Sequence, residues 1–368
     1  MNNKVLFCGD ICPTEKSVEY FTSGDVNTLF NDVLPLMLNA SNVIVNFEGA
    51  ITDTNYPIRK MGPNLKGPHQ TADTLKKANI TACGLANNHI LDFGETGLYD
   101  TFNNLDRVGI DRFGAADNET NARQPYFFFV NDKKIGVLPL AEHEYTYAIE
   151  DKPGAAPFDP YDTIPFIGDV KEKCDYLVIM YHGGKEQCEY PSPRLRKVCH
   201  SFVKMGADLV LCQHSHIIGT YEKINGAMVL YGQGNFNFVD LLDLKGWKTG
   251  LVLSVEFGSK MKFEFIPIIE TEHGIRLMND EEKEKCLFDL EKRSISLIDG
   301  AWIDGWNEFV EEKRESYTKA IEDVGHAEDK DYAKEFFAAY LQCEAHYDVL
   351  RSLYPNWHEV GIDNSEKR

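Results

Sequence analysis

Polar side chains that could bind metal ions follow several short apolar segments of this chain. These segments are rich in β-branched and aromatic residues and are too short for helices, so we predict that they are buried strands. The carboxyl ends of parallel strands meet at one edge of an α/β sheet, where ligands bind. The candidate metal ligands at these strand ends are Asp10, Glu48, Asn88, His182, His214 and His216.

The types of these side chains indicate which ions they would bind. Carboxylate, amide and imidazole groups together suit Zn, Mn or Fe, and the set has too many nitrogen ligands for Ca or Mg. It also has more ligands than one tetrahedral ion takes. We therefore expect two divalent transition-metal ions bridged by a carboxylate, a pair that can activate water and bind a substrate oxygen. Any single histidine of the set could instead be a hydrogen-bonded core residue.

A further histidine, His89, lies next to Asn88 and precedes Asp92 by three positions. Two interpretations of Asp92 are open. With Glu95 it resembles a capping box at the start of a helix predicted over residues 93–108. It could equally orient the imidazole of His89, and the two interpretations do not exclude each other.

The segment over residues 50–69 is rich in proline and glycine, which indicates a surface loop. It contains the basic residues Arg59, Lys60 and Lys66 in an otherwise acidic chain. We expect this loop to contact an anionic substrate. The alternative is that the three charges are simply solvated.

The order of predicted elements indicates an α/β fold. A strand over residues 4–8, an amphipathic helix over 26–38 and a strand over 42–47 would form a right-handed βαβ unit. Hairpins predicted over residues 125–140 and 250–269 indicate a mixed core of two sheets rather than a purely parallel one.

The last part of the chain differs in composition from the rest. Residues 280–353 contain almost no glycine or proline and carry apolar residues at helical spacing, which predicts helices. We therefore divide the chain into a domain over residues 1–275 and a helical C-terminal extension over residues 276–368. We expect that any homo-oligomer would form through these helices.

Charge and composition restrict the class of protein. The chain has 368 residues, 43% of them hydrophobic, and a formal net charge of −20. This charge disfavours binding to nucleic acid or to anionic lipid. The beginning of the sequence lacks the apolar region of a signal peptide, and no apolar run reaches the roughly 18 residues of a membrane span. Nine cysteines without a C-x-x-C pair suit reduced thiols, so we expect a cytoplasmic protein without membrane insertion.

Six motifs follow one another along the chain. They are Gly9-Asp10, Asn46-Phe47-Glu48-Gly49, Ala86-Asn87-Asn88-His89 with Asp92 and Gly94, His182-Gly183-Gly184-Lys185-Glu186, Gly206-Ala207-Asp208 through His214-Ser215-His216, and Tyr231-Gly232-Gln233-Gly234-Asn235-Phe236. In this order they closely resemble the CapA family of capsule or poly-γ-glutamate synthesis proteins, which is itself similar to calcineurin-like metallophosphoesterases. The resemblance covers about residues 4–270 and implies a metallophosphatase-like two-sheet αββα sandwich.

The resemblance also implies roles for individual residues. It places Asp10, Glu48 and His216 on one metal ion, and Glu48, Asn88, His182 and His214 on the other. By the same resemblance His89 is the general acid beside the leaving group. Asp92 is the second candidate catalytic residue. The candidate substrate-binding residues are Arg59, Lys60, Lys66 and Asn235.

Two positions depart from the pattern of the phosphoesterases. Their D-x-H motif reads Asp10-Ile11-Cys12 in this chain, so that Cys12 is either a replacement ligand or a core thiol. The bridging residue is Glu48 rather than aspartate.

Two hypotheses about function follow from these residues. In the first, the protein is a metal-dependent hydrolase that cleaves a phosphoester, or an amide of an anionic polymer, while His89 protonates the leaving group. In the second, it is a noncatalytic component of capsule or poly-γ-glutamate synthesis that binds the polymer. The expected partner is therefore an anionic small molecule or polymer in both cases.

Overall fold

The computed structural model describes residues 3–239, 244 and 246–355 of the chain. The strands within these residues are β1 (Lys4–Ile11), β2 (Asn42–Phe47), β3 (Ala50–Ile51), β4 (Lys66–Gly67), β5 (Ala82–Gly84), β6 (Asp111–Phe113), β7 (Ala115–Ala116), β8 (Tyr126–Val130), β9 (Lys133–Ala141), β10 (Gly154–Ala155), β11 (Tyr176–His182), β12 (Leu209–Gln213), β13 (Tyr221–Ile224), β14 (Ala227–Leu230), β15 (Asn235–Asn237), β16 (Thr249–Glu256), β17 (Lys262–Glu270) and β18 (Ile275–Leu277). The helices are α1 (Val18–Ser23), α2 (Val26–Phe30), α3 (Leu34–Asn39), α4 (Gln70–Lys77), α5 (Gly94–Val108), α6 (Glu119–Ala122), α7 (Pro160–Lys171), α8 (Pro193–Lys204), α9 (Asp280–Asp299), α10 (Trp302–His326), α11 (Lys330–Gln342) and α12 (Glu344–Leu353).

The apolar segments form two large sheets. The first has the order β18-β17-β16-β1-β2-β5-β6, with β15 also paired to β1, and the second has the order β13-β14-β12-β11-β9-β8. The strands β1, β2, β5 and β6 run parallel to one another, and so do β9, β11, β12 and β14. The pairs β8–β9 and β16–β17 are antiparallel hairpins. The predicted mixed core of two sheets is therefore confirmed.

Three layers of apolar side chains hold the sheets and helices together. Between the sheets, Phe7 and Ile44 of the first lie in one cluster with Val178 and Leu211 of the second. The helices α1 to α5 cover the outer face of the first sheet, and α7, α8 and the C-terminal helices cover the second. The predicted αββα sandwich with a C-terminal helical extension is confirmed.

The prediction of one continuous helix over residues 26–38 is wrong. The chain forms α2, a 3₁₀ turn at Asn31–Val33, and then α3. Asn31 has a positive φ of 40°, and its side chain donates hydrogen bonds to the carbonyl oxygens of Thr28 and Ile275 at 3.0 Å. A contact with a residue distant in sequence therefore breaks a locally helical pattern.

The C-terminal helices pack against the second sheet. A capping box formed by Asn279 and Glu282 begins α9, and Trp306 of α10 lies in one apolar cluster with Phe202 of α8. The helical prediction for residues 280–353 is confirmed, while residues 356–368 of the predicted extension lie outside the described residues. A homo-oligomer formed through these helices stays a prediction. None of the described helices combines the length and hydropathy needed to cross a membrane.

The attachment of the C-terminal helices depends on Trp306, which is 1% exposed and donates a hydrogen bond from Nε1 to Ser352 Oγ at 3.0 Å. We expect Trp306→Ala to lower the free energy of unfolding by about 3–5 kcal/mol, because it leaves a cavity in the core. The change is measured by urea denaturation. Phe288→Ala, at a side chain that is 66% exposed, is the control and should change the value by less than about 0.5 kcal/mol. Equal losses in both variants would contradict this account.

Candidate metal centre

The carboxyl ends of strands from both sheets converge on one buried site. The ligand atoms of Asp10, Glu48 and His182 lie within 4.8 Å of one another, and so do those of Glu48, His214 and His216. Asn88, in the segment after β5, joins them through its Oδ1, which lies 2.9 Å from His182 Nε2. The structure therefore brings all of the predicted metal ligands together, with Glu48 shared by the two groups.

Glu48 is the feature of this site that most clearly fits a cation. It is fully buried, and neither of its carboxylate oxygens has a hydrogen-bond partner. Burial, followed by the nearby charge of Asp10, raises the pKa of Glu48 to about 7. The nearest imidazole atom is Nε2 of His182, 3.4 Å from Oε1, and Nε2 of His216 lies at 3.9 Å. An orphaned buried carboxylate beside imidazoles is the donor set that Zn, Mn or Fe would satisfy.

Asp10 is held by hydrogen bonds from two neighbouring elements. The side chain of Asn46 donates from Nδ2 to Asp10 Oδ1 at 2.7 Å, and the backbone N–H of His214 donates to Oδ2 at 3.1 Å. Asn46 Nδ2 also lies 3.1 Å from His182 Nδ1. The sequence analysis names Asn46 within a motif but gives it no role, although an amide directly after the apolar run of β2, two residues before Glu48, is a signal that could have revealed it.

The imidazoles differ in their electrostatic surroundings. Burial lowers the pKa of His182 to about 4 and also lowers the pKa of His214, which keeps both rings neutral and free to bind a cation. Burial also acts to lower the pKa of His216, but the charges of Glu48 and Asp10 outweigh it and raise that pKa. A metal ion would replace the proton on that ring.

The backbone and the surroundings of His216 fix its orientation. His214 and His216 both have positive φ values, 80° and 57°, a conformation that costs free energy for residues other than glycine. Asn235 Oδ1 lies 2.9 Å from His216 Nδ1, and the ring of Trp247 lies 4.5 Å away. Asn235, which we expected to bind substrate, is therefore placed against a candidate metal ligand.

His89 lies just outside the two groups of ligands, with its Nε2 at 3.9 Å from Glu48 Oε1. Asp92 Oδ2 lies 2.6 Å from His89 Nδ1. Asp92 does not cap α5, whose N-cap residue is Phe93 without a side-chain cap, so the capping-box interpretation is wrong. The interpretation that Asp92 orients the imidazole agrees with this geometry.

The three basic residues of the loop lie in different surroundings. Lys60 is buried, with its side chain 2% exposed, and its Nζ lies 2.5 Å from Asp92 Oδ1 and 3.0 Å from His89 Nδ1. Arg59 forms a surface ion pair at 2.7 Å with Glu335 of α11. Lys66 donates to the carbonyl oxygen of Thr54, and it lines the cleft beside the site. Of these residues, the structure brings only Lys60 and Lys66 close to the candidate site.

A cleft of about 580 Å³ opens beside the site. His89 and His216 line it on the side of the metal ligands, and Phe93, Phe238 and Trp247 form apolar walls. A cleft of this volume is in the range of small-molecule binding sites.

Cys12 belongs to an apolar cluster rather than to either group of candidate ligands. It is buried beside Phe238 and Trp247, and its Sγ donates to the carbonyl oxygen of Pro13 at 3.5 Å. Burial raises the pKa of the Cys12 thiol well above its usual range. Between the two interpretations of Cys12, this environment favours the core thiol. All nine cysteines are free, as expected for reduced thiols.

Glu144 is a residue of the site that the sequence interpretation missed. Its Oε2 accepts a hydrogen bond from Asn88 Nδ2 at 3.0 Å and lies 3.7 Å from His214 Nε2. This contact turns Oδ1 of the Asn88 amide towards His182. Glu144 follows the predicted strand over residues 134–140, so the strand-end rule used for the other ligands could have found it.

The raised pKa of Glu48 has a measurable effect on stability. Its stabilising contribution is complete below the ordinary pKa of 4.5 and is lost as the pH rises through about 7. In metal-free protein, we compare how much the free energy of unfolding falls between pH 4.5 and about pH 8. We expect this fall to be about 3 kcal/mol larger in wild type than in Glu48→Gln. Urea denaturation with a chelator measures both proteins over this range. Parallel pH profiles would show that Glu48 does not titrate in this way.

Comparisons with known proteins agree with the geometry. The sequence model of a family described as "Bacterial capsule synthesis protein PGA_cap" matches residues 4–239. The chain is 28% identical over 240 residues to the PGA biosynthesis protein CapA of Bacillus subtilis (strain 168), covering 63% of this chain and 62% of that protein. It is 26% identical over 239 residues to the Capsule biosynthesis protein CapA of Bacillus anthracis, covering 62% and 58%. The chain thus spans about three-fifths of the length of these two relatives.

Among solved structures, a hypothetical protein from Thermus thermophilus superposes with a TM-score of 0.48 at 13% identity, covering 73% of this chain and 100% of that one. The family match includes every candidate metal ligand from Asp10 to His216. The resemblance to the CapA family is therefore confirmed. The family match extends over residues 4–239 of the 368-residue chain, and the chain therefore belongs to the bacterial capsule synthesis protein family PGA_cap.

Proposed function

We propose that this protein is a metal-dependent hydrolase that cleaves a phosphoester or an amide of an anionic polymer. The observation that carries the proposal is the buried carboxylate of Glu48, which lacks any hydrogen-bond partner and is shared by two groups of candidate ligands. A carboxylate in this position is suited to bridge two divalent transition-metal ions such as Zn, Mn or Fe.

The residues of the site divide into two proposed sets of ligands. Asp10, Glu48 and His216 would hold one ion, and Glu48, Asn88, His182 and His214 would hold the other. When bound, such ions polarise a substrate oxygen and lower the pKa of water. The neutral state of His182 and His214 supports their role as ligands, because only a neutral imidazole nitrogen has a free lone pair.

His89 is the proposed general acid. Asp92 accepts a hydrogen bond from Nδ1 of His89, which leaves Nε2 directed at the site beside Glu48. When the ring is an imidazolium, Nε2 in this orientation carries a proton that it can donate to the leaving group. Lys60 forms an ion pair with the other oxygen of the Asp92 carboxylate, Oδ1, and this contact holds the carboxylate in place.

The surroundings of the cleft support an anionic substrate with some apolar surface. Lys66 contributes a positive charge at the cleft, while Phe93 and Trp247 line it with aromatic rings. Two relatives are named for PGA and capsule biosynthesis, which supports a polymer as the substrate.

The metal content of the purified protein tests the two-ion site. After reconstitution with Zn or Mn, we expect wild type to approach two ions per chain by elemental analysis. His214→Ala combined with His216→Ala should lower this value while the circular dichroism spectrum stays unchanged, because both residues lie beyond the end of β12. His69→Ala, at an exposed histidine outside the site, is the matched control and should bind metal as wild type does. Wild type without metal after reconstitution would overturn the assignment.

The role of His89 is tested with substrates that differ in their leaving groups. We expect His89→Ala to retain metal and to lose about 10²- to 10⁴-fold in kcat on alkyl phosphates or amides. The loss on nitrophenyl esters should be much smaller, because their leaving group needs little protonation. Steady-state kinetics and metal analysis are run together.

Equal losses on both kinds of substrate would rule out general acid catalysis by His89. A wild type inactive on every phosphoester and amide would instead favour the second hypothesis, a noncatalytic component that binds the polymer.

A further inference from the structure

A buried carboxylate outside both groups of candidate ligands, that of Glu142, contacts the chain on both sides of His182. The hydroxyl of Tyr181 donates to Glu142 Oε1 at 2.8 Å, and the backbone N–H of Gly184 donates to Oε2 at 2.8 Å. The backbone N–H of Glu142 donates to the carbonyl oxygen of His182 at 3.0 Å. Glu142 therefore holds the short segment of chain that carries this candidate metal ligand.

The two glycines that follow His182 allow this close contact. A Cβ atom at Gly183 would lie 2.5 Å from Cγ and Cδ of Glu142, so any larger side chain would displace the carboxylate. Gly184 has a φ of 96°, which favours glycine. The sequence of the motif His182-Gly183-Gly184 thus fits the position of Glu142.

Glu142 is held in turn by a charged chain that begins in the C-terminal extension. Arg194 of α8 donates from Nη2 to Glu142 Oε1 at 2.5 Å. Nε of the same guanidinium lies 2.9 Å and 3.0 Å from the two carboxylate oxygens of Asp348 in α12. Glu142 and Asp348 are both buried, and hydrogen bonds between charged groups are stronger than those between neutral ones. The chain Asp348–Arg194–Glu142 therefore connects α12 to the segment around His182.

Helix α12 also holds the residue that follows Glu142. Glu344 Oε2 accepts a hydrogen bond from the backbone N–H of His143 at 2.8 Å. The next residue is Glu144, whose carboxylate accepts the hydrogen bond from the amide of Asn88. Through this second contact, α12 fixes the segment that orients Asn88.

The ligands proposed for the other ion alone have different supports. Asp10 accepts from the side chain of Asn46 and the backbone of His214, and His216 contacts Asn235. Among the described residues, none of the hydrogen bonds to Asp10 or His216 comes from the C-terminal helices. The support from α12 is thus confined to one side of the candidate metal centre.

We propose that α12 positions the ligands of one ion, the one assigned to Asn88, His182 and His214, and that Asp348 and Arg194 act as positioning residues through Glu142. The inference rests on the two-ion site of the proposed function and adds that the helical extension acts on one ion selectively. Residues that hold metal ligands typically change metal affinity by about 10- to 100-fold when they are replaced.

The test uses full-length protein titrated with Co²⁺ against a competing chelator, with visible absorption spectra recorded at each step. His216→Ala removes a ligand of the other ion, and in this background we expect Arg194→Met to weaken Co²⁺ binding by about 10- to 100-fold and to alter the spectrum. In the background of His182→Ala, the same substitution should have little effect. A general loss of stability would instead weaken binding in both backgrounds.

A second measurement does not depend on metal. The backbone N–H of Gly184 donates to Glu142, so its hydrogen exchange in metal-free protein reports on the chain of contacts. We expect Asp348→Asn to speed this exchange by about fivefold, which corresponds to the loss of one hydrogen bond. Asp331→Asn, at a side chain of α11 that is 88% exposed, is the matched control and should bind Co²⁺ and exchange as wild type does.

Co²⁺ affinity that is equal with and without Arg194→Met in the His216→Ala background would overturn the inference, and so would equal losses in both backgrounds. Asp348→Asn keeps the shape of its side chain and takes the place of Arg194→Met in the titrations if that variant does not fold. If wild type binds no Co²⁺, the proposed two-ion site fails, and the exchange of Gly184 decides whether α12 holds the segment around His182: unchanged exchange would overturn the inference. Selective loss of one ion in a protein without hydrolytic activity would refute only the proposed function.

Discussion

The rest of the site depends on the burial of one carboxylate, that of Glu48. An ionised carboxylate in a protein interior is costly unless charge or hydrogen bonds compensate for the lost water. Glu48 has no hydrogen bond to either oxygen, and its neighbour Asp10 adds a second negative charge. The imidazole of His216, with Nε2 at 3.9 Å from Oε1, compensates in part. A cation bound here would satisfy both oxygens, and the polar side chains that meet at this place in an apolar sandwich are of the types that could share it.

The arrangement of the two sheets accommodates these polar groups without placing them in the middle of the apolar core. The candidate ligands lie at or just beyond the carboxyl ends of parallel strands, so most of the strand side chains can remain apolar and form the core. Two of the candidate ligands are held by residues outside the set: Asn46 donates to Asp10, and Asn235 contacts His216. The positive φ values of His214 and His216 store strain that these contacts maintain. A site preorganised in this way is suited to hold a cation.

The helices beyond the family match contact residues close to the site. Asp348 and Glu344 of α12 contact Arg194 and the backbone of His143, beside the strand-end residue Glu144. The apolar side of these helices completes the outer core of the second sheet. The C-terminal extension therefore covers one side of the sandwich and forms one wall of a second cavity next to the candidate metal centre.

The sequence by itself determined the strands over residues 4–8 and 42–47, the two hairpins, the C-terminal helices and the position of the candidate ligands near the ends of strands, because these depend on local periodicity and on the rule that parallel strands end at one edge. It did not determine the partners of those ligands. The tertiary structure alone placed Lys60 beside Asp92 and Glu144 beside Asn88, and it broke the helix predicted over residues 26–38 through a contact of Asn31 with Ile275. These contacts join residues far apart in the chain, and the packing of the two sheets and the C-terminal helices decides which of them meet.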